Sequence, residues 1–371
     1  MKKIKVIFFI YQMGAGGAAR TMLNILNNID RTKFMPVLVT LNYNGSYESY
    51  MNDDIKFIKL NTKRLRSAVF PLAKVIRSEN ADIVFSTIPN YNTIAILARI
   101  FSFTRAKNIV REAAYLGGNF RANMKLRVMG ILYKLTGKVI ALSNGVKDNI
   151  VKRYKVKQEK IRVIYNPVDV NSITEHMENG QIAEEHKYIF QDDAKIIITA
   201  GRLVKDKDHE TLIEAFAKVQ EEINTKLVIL GEGELEENLK TQAKTLHLQD
   251  KIHFIGFQRN PYVYFKYTDL FVLSSRREGF GHVLTEALAT GTPIVSTNCR
   301  PGAIEVLAGG EYGILCEMGD ADDMAEKIIN TLKLESNKTQ EIIDKGIRRA
   351  NEFHARKIVK QYEEVFIQTF E

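Results

Sequence analysis

Two acidic residues flank a glycine-bracketed turn in the second half of the chain. Glu278 and Glu286 stand eight residues apart in the stretch REGFGHVLTEALATGTPIVS, with the Gly279–Gly281 turn directly after the first of them. On one continuous helix this spacing would separate the carboxylates by about 800° of turn and place them on nearly perpendicular faces. The glycines instead predict that the helix begins near His282, so Glu278 belongs to the loop and Glu286 to the first helical turns.

This arrangement suits a ligand that is rich in hydroxyls and phosphate. Glu286 lies in HVLTEALATG, an otherwise apolar helix face, where a carboxylate needs hydrogen-bond partners. The paired hydroxyls of a ribose would supply them, and two acids that face one site can contact an elongated ligand. The alternative interpretation is two solvated acids at the start of a surface helix.

A second loop carries two cations. In AGRLVKDKDHETLIEAF, Gly201 ends an apolar strand, and Arg202 and Lys207 follow before a helix that begins near His209. Cations on a strand-to-helix loop can clamp a diphosphate, since arginine can donate to two oxygens at once. The alternative is a pair of solvated surface cations. The D-x-D sequence at 206–208 is expected to cap the helix rather than to hold a metal ion.

A glycine-rich loop follows the first apolar run. Gly14, Gly16 and Ala19 in YQMGAGGAARTML match the G-x-G-x-x-A spacing, which lets backbone amides approach a phosphate at a helix N-terminus. The next apolar run ends in VLVTLNYNG, without the acid that would hold an adenine-side ribose. This argues against a nicotinamide cofactor, although an oxidoreductase and a ligand-free turn both stay open.

Apolar strands alternate with amphipathic helices along the whole chain. Five buried strands are predicted in the first half, at 4–11, 35–41, 82–86, 107–111 and 138–143, and six in the second, at 195–200, 226–231, 251–256, 269–275, 293–297 and 312–316. This repeated alternation predicts an α/β fold of two doubly wound, Rossmann-like domains that face each other across a cleft. The domains are expected at 1–167 and 168–354, and the polar, unpatterned stretch to about residue 193 is expected to be a linker or an excursion.

Charge is distributed unevenly along the 371 residues. Residues 1–170 hold 29 Lys and Arg against 10 Asp and Glu, whereas the remainder holds 24 against 34. No apolar run is long enough to span a bilayer, and the two cysteines lack metal-binding spacing. We therefore expect a cytoplasmic protein whose first half contacts an anionic surface.

Three basic segments, 62–77, 121–138 and 151–162, concentrate this charge. In the middle segment an apolar stripe at helical spacing consists of Met124, Val128, Ile131, Leu132 and Leu135. The cations interleaved with it are Arg121, Lys125, Arg127, Lys134 and Lys138. This pattern is typical of a helix lying on an anionic membrane; the alternative is a helix packed on its own sheet. Nucleic acid is not an expected partner, because no binding motif or aromatic stacking group accompanies the charge.

Several motifs in order resemble glycosyltransferase family 4, whose members are retaining, nucleotide-sugar-dependent enzymes of the GT-B fold. They are GGAAR (16–20), VIYNPVD (163–169), GRLVKDK (201–207), ILGEGELEENL (229–239), EGFGHVLTEALATGTPIV (278–295) and GILCEMGD (313–320). The resemblance covers nearly the whole chain. It implies that the first domain binds acceptor and membrane, the second binds the donor, and a C-terminal helix at about 355–371 returns to the first.

The resemblance also implies roles for individual residues. Gly201 would belong to the donor-binding loop, on which Arg202 and Lys207 would bind the donor diphosphate, and Glu286 would bind the ribose hydroxyls. The transferred sugar would be held by Glu278 and by the amides of Phe280 and Gly281, with Gly16 and Gly17 flanking the reaction centre. Arg202, Lys207 and Glu278 are thus the expected catalytic residues.

Some relatives place a histidine after a late strand of the first domain, where this chain has VREAAYLGG (110–118) with Glu112 as its only acid. The resemblance therefore implies a front-face mechanism in which the departing phosphate takes the acceptor's proton, with no metal or cofactor. The expected function is transfer from a UDP-hexose or UDP-N-acetylhexosamine to a membrane-associated glycan or lipid-linked oligosaccharide, at the inner face of the cell membrane. A GT-B-type epimerase, a nicotinamide oxidoreductase and a non-catalytic nucleotide-sugar binder are the alternatives.

Overall fold

The computed structural model describes residues 2–14 and 16–371 and divides into two compact units. Unit 1 comprises Met1–Val168 and His354–Glu371, and unit 2 comprises Asp169–Phe353. Each unit is built around one parallel sheet, as expected for strands whose side chains are apolar on both faces.

Unit 1 contains a seven-stranded sheet in the order β3-β2-β1-β4-β5-β6-β7. Its strands are β1 (Ile4–Phe9), β2 (Phe34–Thr40), β3 (Lys56–Lys59), β4 (Ile83–Thr87), β5 (Lys107–Glu112), β6 (Lys138–Ala141) and β7 (Ile161–Val163). Its first helices are α1 (Gly17–Asn28), α2 (Val69–Ser78), α3 (Pro89–Ser102), α4 (Phe120–Tyr133) and α5 (Asn144–Asn149). The strand order reverses between β1 and β4, which makes this point the topological switch of unit 1.

Unit 2 contains a six-stranded sheet in the order β10-β9-β8-β11-β12-β13. Its strands are β8 (Lys195–Ala200), β9 (Thr225–Leu230), β10 (Ile252–Phe254), β11 (Leu270–Leu273), β12 (Ile294–Thr297) and β13 (Ile314–Cys316). Its helices are α6 (Val170–Asn179), α7 (His209–Glu222), α8 (Glu236–Thr245), α9 (Tyr262–Phe265), α10 (His282–Ala289), α11 (Gly302–Val306), α12 (Ala321–Leu332) and α13 (Ser336–Glu352). This is the Rossmann strand order, and its switch point lies between β8 and β11.

The last helix, α14 (Ala355–Phe370), belongs to unit 1. Phe366 packs edge-on against Phe8 of β1 and Phe85 of β4, with ring centroids 6.0 and 5.6 Å apart. Tyr362 is also fully buried there. The helix therefore contributes aromatic rings directly to the core under the unit 1 sheet.

Close backbone packing fixes α4 in unit 1. A Cβ on Gly130 would overlap the carbonyl oxygen of Tyr154, in the π-helical turn Ile150–Tyr154 that follows α5. Glycine is required here because the two backbones touch. Gly130, whose low helix propensity weakens α4, thus allows the backbone of α4 to pack directly against that of Tyr154.

The structure confirms the eleven predicted strands and corrects two other expectations. Two observed strands, β3 and β7, were not among the eleven. KFIK of β3 has only two apolar residues, half-buried at one sheet edge, and β7 is a three-residue strand at the other edge. The polar stretch after residue 168, expected to be a linker or an excursion, contains α6, which buries Val170 and Ile173 and is capped by Asp169. No helix among residues 2–14 and 16–371 is long and apolar enough to cross a membrane.

Candidate functional site

Two loops meet at the switch point of unit 2. The first joins β8 to α7 and contains residues 201–208; the second joins β11 to α10 and contains residues 274–281. In an open parallel sheet, ligands bind at the carboxyl ends of the strands where the strand order reverses. The predicted site residues Gly201, Lys207 and Glu278 lie on these loops.

Lys207 and Glu278 form an ion pair between the two loops. The pair is largely buried, with 21% of the lysine side chain and 12% of the glutamate side chain exposed. Ser275 Oγ donates a second hydrogen bond to Glu278 Oε1 at 2.9 Å. The lysine chain lies over Gly201, where a Cβ would stand 3.5 Å from Lys207 Cε. The structure therefore brings together three predicted site residues and shows that two neutralise each other's charge.

Asp208 binds Arg276 instead of capping a helix. The Arg276 guanidinium donates to both carboxylate oxygens of Asp208, at 2.8 and 3.0 Å, and Thr211 Oγ1 adds a bond at 3.0 Å. Asp208 occupies the N-cap position of α7, but its side chain accepts no backbone N–H there. The predicted capping role is therefore wrong, because the bidentate arginine takes both oxygens.

Two further bonds hold the loops together at the backbone. Ser274 Oγ donates to the Lys207 carbonyl at 2.8 Å, and the Arg276 amide donates to the Asp206 carbonyl at 2.9 Å. With the Asp208–Arg276 pair, these bonds place Lys207 and Glu278 on a rigid frame. Sequence reasoning missed this frame, since its partners are 67 or more residues apart.

The glycine-bracketed turn rests on α11. The Gly302 amide donates to the Glu278 carbonyl at 3.0 Å, and a Cβ on Gly302 would stand only 2.8 Å from Glu278 Cβ and from the Phe280 nitrogen. The Phe280 ring is buried and packs edge-on against Phe353 at 5.2 Å. Its ring therefore anchors the turn.

Gly281 ends this turn in the left-handed conformation, with φ +83°, directly before α10 begins at His282. Residues with a Cβ rarely adopt that conformation. The predicted start of the helix is confirmed, with Glu278 in the loop and Glu286 as the fifth residue of α10. Glu286 is 6% exposed among apolar helix neighbours.

Arg202 and Lys207 differ in their surroundings. Arg202 is exposed, and its guanidinium forms no ion pair within the described part of the chain, whereas Lys207 is half-buried and paired. His209, next to this loop, is buried, and desolvation together with the Lys207 charge lowers the pKa of its imidazole to about 4. The loop therefore presents one free and one neutralised cation, while His209 stays uncharged at neutral pH.

The glycine loop of unit 1 leads from β1 into α1. Gly16 occupies the N-cap position of α1, and Gly17 is the first helical residue; Ala15 lies outside the described residues. A Cβ on Gly16 would meet no described atom within 4 Å. Glycine at this position therefore leaves open space beside a helix N-terminus, where a phosphate or sugar oxygen can approach backbone amides.

Glu112 lies buried inside unit 1. It is fully buried at the end of β5 and accepts hydrogen bonds from Tyr133 of α4 and from Asn92 of α3, the latter at 3.2 Å. Burial raises the pKa of Glu112 to about 7, and those two hydrogen bonds oppose the rise. This acid therefore joins α3 and α4 to the sheet.

The helix predicted over 121–138 ends earlier, at Tyr133. Most of its predicted apolar stripe faces away from the sheet and is exposed. Leu126, Met129 and Tyr133 are buried against the sheet. We call the exposed apolar row on the opposite face the outer stripe: Phe120, Met124, Val128, Ile131 and Leu135, each 42–78% exposed. The alternative in which the predicted stripe packs on the sheet is wrong for these residues. Leu132 is the one member of the predicted stripe that is half-buried.

Two protein-family models match the chain. The model described as Glycosyl transferases group 1 matches residues 180–349, and the model described as Glycosyltransferase Family 4 matches residues 15–172. The first covers the switch point of unit 2 and the second covers the glycine loop of unit 1.

Two curated proteins resemble this chain at similar sequence identity. The N-acetylgalactosamine-N,N'-diacetylbacillosaminyl-diphospho-undecaprenol 4-alpha-N-acetylgalactosaminyltransferase of Campylobacter jejuni is 30% identical over 381 residues, covering 98% of this chain and 97% of that protein. The N-acetyl-alpha-D-glucosaminyl L-malate synthase of Bacillus anthracis is 31% identical over 307 residues, covering 80% of this chain and 77% of that protein. Both are named for the transfer or attachment of a sugar.

Solved structures share the fold. Anabaena HepE, solved in complex with UDP and glucose, superposes with a TM-score of 0.82 at 21% identity, over 97% of this chain and 98% of that chain. A glycosyltransferase from Rickettsia africae superposes with a TM-score of 0.83 at 20% identity over the full length of both chains. These likenesses confirm the predicted GT-B fold of two doubly wound α/β domains.

Proposed function

Because the chain belongs to glycosyltransferase family 4, and is thus a sugar-transferring enzyme, we propose that it is a retaining transferase that uses a UDP-sugar and a lipid-linked glycan acceptor. The observation that carries the donor half is the Lys207–Glu278 pair on two joined loops at the switch point of unit 2. The Anabaena structure with UDP and the Campylobacter protein named for a diphospho-undecaprenol acceptor support the choice of substrates.

The donor diphosphate would meet Arg202 and Lys207. Lys207 is already held by Glu278, so the incoming diphosphate offers the lysine a second anion and loosens its bond to the carboxylate. Glu278 then becomes available to accept hydrogen bonds from hydroxyls of the transferred sugar. Glu286 on α10 accepts the ribose hydroxyls, and the amides of Phe280 and Gly281 donate to the sugar. Donor binding therefore exchanges an internal ion pair for two ligand contacts.

Transfer then proceeds on one face of the sugar. The bond from the anomeric carbon to the diphosphate oxygen breaks, and the acceptor oxygen bonds to that carbon from the same side. The acceptor's proton passes to the departing phosphate oxygen. Negative charge grows on the diphosphate during this step, so Arg202 and Lys207 stabilise the transition state more than the ground state. The reaction requires no metal ion or organic cofactor in this scheme.

The membrane half of the proposal rests on α4. Its outer stripe is apolar and exposed, and exposed Arg121, Arg127 and Lys134 flank it. Exposed apolar rows bordered by cations are typical of helices that lie in the interface of an anionic bilayer. Unit 1 also exposes a pair of aromatic side chains, Phe70 and Phe101, whose ring centroids are 5.3 Å apart. We therefore place the enzyme peripherally on the inner face of the cell membrane.

A donor panel with and without a lipid-linked acceptor tests the proposed reaction. UDP release that depends on the acceptor, together with an α-linked product from an α-linked donor, is the expected result. Formation of an epimer without acceptor would instead indicate an epimerase, and binding without turnover a nucleotide-sugar binder. The Glu286→Ala variant should bind the UDP-sugar about 10- to 100-fold more weakly, because it loses charge-assisted hydrogen bonds to the ribose.

A further inference from the structure

A groove of about 880 Å³ opens at the switch point of unit 1. Tyr11, just beyond β1, and the first turns of α3 line its inner part. Residues 63–66 form one side, and Lys125, Val128 and Met129 of α4 form the other. The groove therefore lies at the sheet edge where ligands of parallel α/β folds bind.

Four cations line this groove without an acid among its lining residues. They are Lys63, Arg64, Arg66 and Lys125, all exposed, and none forms an ion pair within the described residues. The neighbouring lysines behave differently, since Lys56 pairs with Glu79 at 2.7 Å and Lys59 with Glu48 at 2.8 Å. Like charges held close together repel each other, and a multivalent anion would relieve that repulsion.

The remaining wall of the groove is apolar. Val128, Met129 and Leu132 contribute this wall, and Val128 also belongs to the outer stripe of α4. The apolar wall is therefore continuous with the exposed row that runs along the helix. A ligand that carries two phosphates and a hydrocarbon chain would satisfy both parts, whereas a soluble glycan or a free nucleotide would leave the apolar wall without a partner.

We propose that this groove binds the diphosphate of a lipid-linked acceptor and thereby selects a polyisoprenyl diphosphate over a neutral glycan. Lys63, Arg64, Arg66 and Lys125 bind the phosphates, and the lipid chain leaves along the outer stripe towards the bilayer. The glycan then extends past Tyr11 towards the glycine loop. This inference rests on the proposed transferase function and identifies the acceptor class for the same reaction.

Binding of a C15 isoprenyl diphosphate, measured by titration calorimetry, tests the groove directly. The variant Arg64→Ser, Arg66→Ser, Lys125→Ser should bind this probe roughly 100-fold more weakly than wild type, since it loses three charge-assisted contacts. The control is Lys3→Ser, Lys152→Ser, Lys357→Ser, which removes three exposed unit 1 cations that do not line the groove. It should bind within about twofold of wild type, because salt screens the attraction between the ligand and charges that do not line the groove.

The probe series and a donor assay separate the possible results. The C15 monophosphate, the C15 alcohol and inorganic diphosphate should each bind more weakly than the complete probe. Equal binding by the groove variant and wild type, an equal loss in the control, or equal binding of inorganic diphosphate would overturn the inference. UDP-sugar affinity of the groove variant should match wild type. A failure of the groove test with intact donor binding thus rejects only the acceptor site, and absent donor binding in wild type rejects the transferase proposal itself.

Discussion

The two switch points of this protein handle charge in opposite ways. In unit 2, the cation Lys207 already pairs with Glu278, and Arg276 pairs with Asp208, so the loops are fixed by their own carboxylates. In unit 1, the cations of the groove have no acid among the lining residues, and one wall is apolar. Under the proposed function, this contrast corresponds to a preorganised site for a small polar donor in unit 2 and an open site for a large amphiphilic acceptor in unit 1.

Removing the paired cation of unit 2 should have the largest effect. We expect Lys207→Ala to lower kcat by about 100- to 1000-fold, because the lost charge acts mainly on the departing diphosphate. Donor affinity should change less, and steady-state kinetics with a calorimetric Kd measure both. Lys205→Ala, an exposed cation on the same loop, is the control. If both variants keep the wild-type kcat, Lys207 has no catalytic role and the unit 2 site assignment fails.

Removing cations beside the outer stripe should reduce membrane binding by roughly 100-fold. The variant Arg121→Ser, Arg127→Ser, Lys134→Ser loses about 3 kcal/mol of attraction at about 1 kcal/mol per cation near an anionic surface. Vesicle sedimentation with and without anionic lipid measures the change, and rising salt should release the wild type. The control Lys244→Ser, Lys345→Ser, Arg348→Ser removes three exposed cations of unit 2 and should bind vesicles nearly as wild type does. Equal wild-type binding to neutral and anionic vesicles would contradict a membrane role for α4.

Loosening the frame of unit 2 should have an intermediate effect. We expect Arg276→Ala to lower kcat by about tenfold, because loss of the bidentate bond frees the loop that carries Lys207. Arg276→Lys should recover part of the activity. Arg277→Ala is the matched control, since its guanidinium is largely exposed and stands 3.7 Å from Asp206. Equal kinetics for the two alanine variants would show that the Asp208–Arg276 pair does not position the site.

A buried acid in unit 1 should have the smallest effect on activity and should act instead through a pH dependence of stability. The pKa of Glu112 is raised to about 7 in the folded protein, so the unfolded chain ionises at lower pH than the folded one. The contribution of Glu112 to stability should be complete below about pH 4.3 and should be lost by about 1.4 kcal/mol per pH unit as pH rises towards 7. Glu112→Gln should lack this slope in urea unfolding between pH 5 and 7. Parallel profiles for the two proteins would show that Glu112 is not buried as an acid.

Regular elements were predictable where burial is strong on both faces. The central strands are continuous apolar runs, so their number and order of appearance followed from the pattern. β3 was not predictable, because Phe57 and Ile58 are half-buried at an edge. In α4 the helix was predicted but its buried face was not. The sequence pattern revealed the stripe that is exposed, whereas the structure buries a different face, which contains Leu126 and Met129. A helix with two apolar faces cannot show from spacing alone which face meets the core.

The candidate site was predictable residue by residue but not as a set of contacts. Strand-end loops of a parallel sheet meet at one edge, so the proximity of the Lys207 and Glu278 loops followed from the fold. Their mutual ion pair did not follow, because the same residues could also face a ligand separately. The Asp208–Arg276 bond was hidden because Asp208 stands where helix caps usually stand, 68 residues from its partner.

The contact between Gly130 and the Tyr154 carbonyl has a kinetic consequence. It holds α4 in one rotation about its axis, since turning the helix would bring a side chain into that carbonyl. Under the proposed membrane role, the outer stripe is formed before the bilayer is met, and adsorption would be a rigid-body encounter rather than coupled folding. Its heat-capacity change should match the apolar area of the stripe alone. Its association rate should depend on ionic strength through steering by the flanking cations, without the delay of a conformational step.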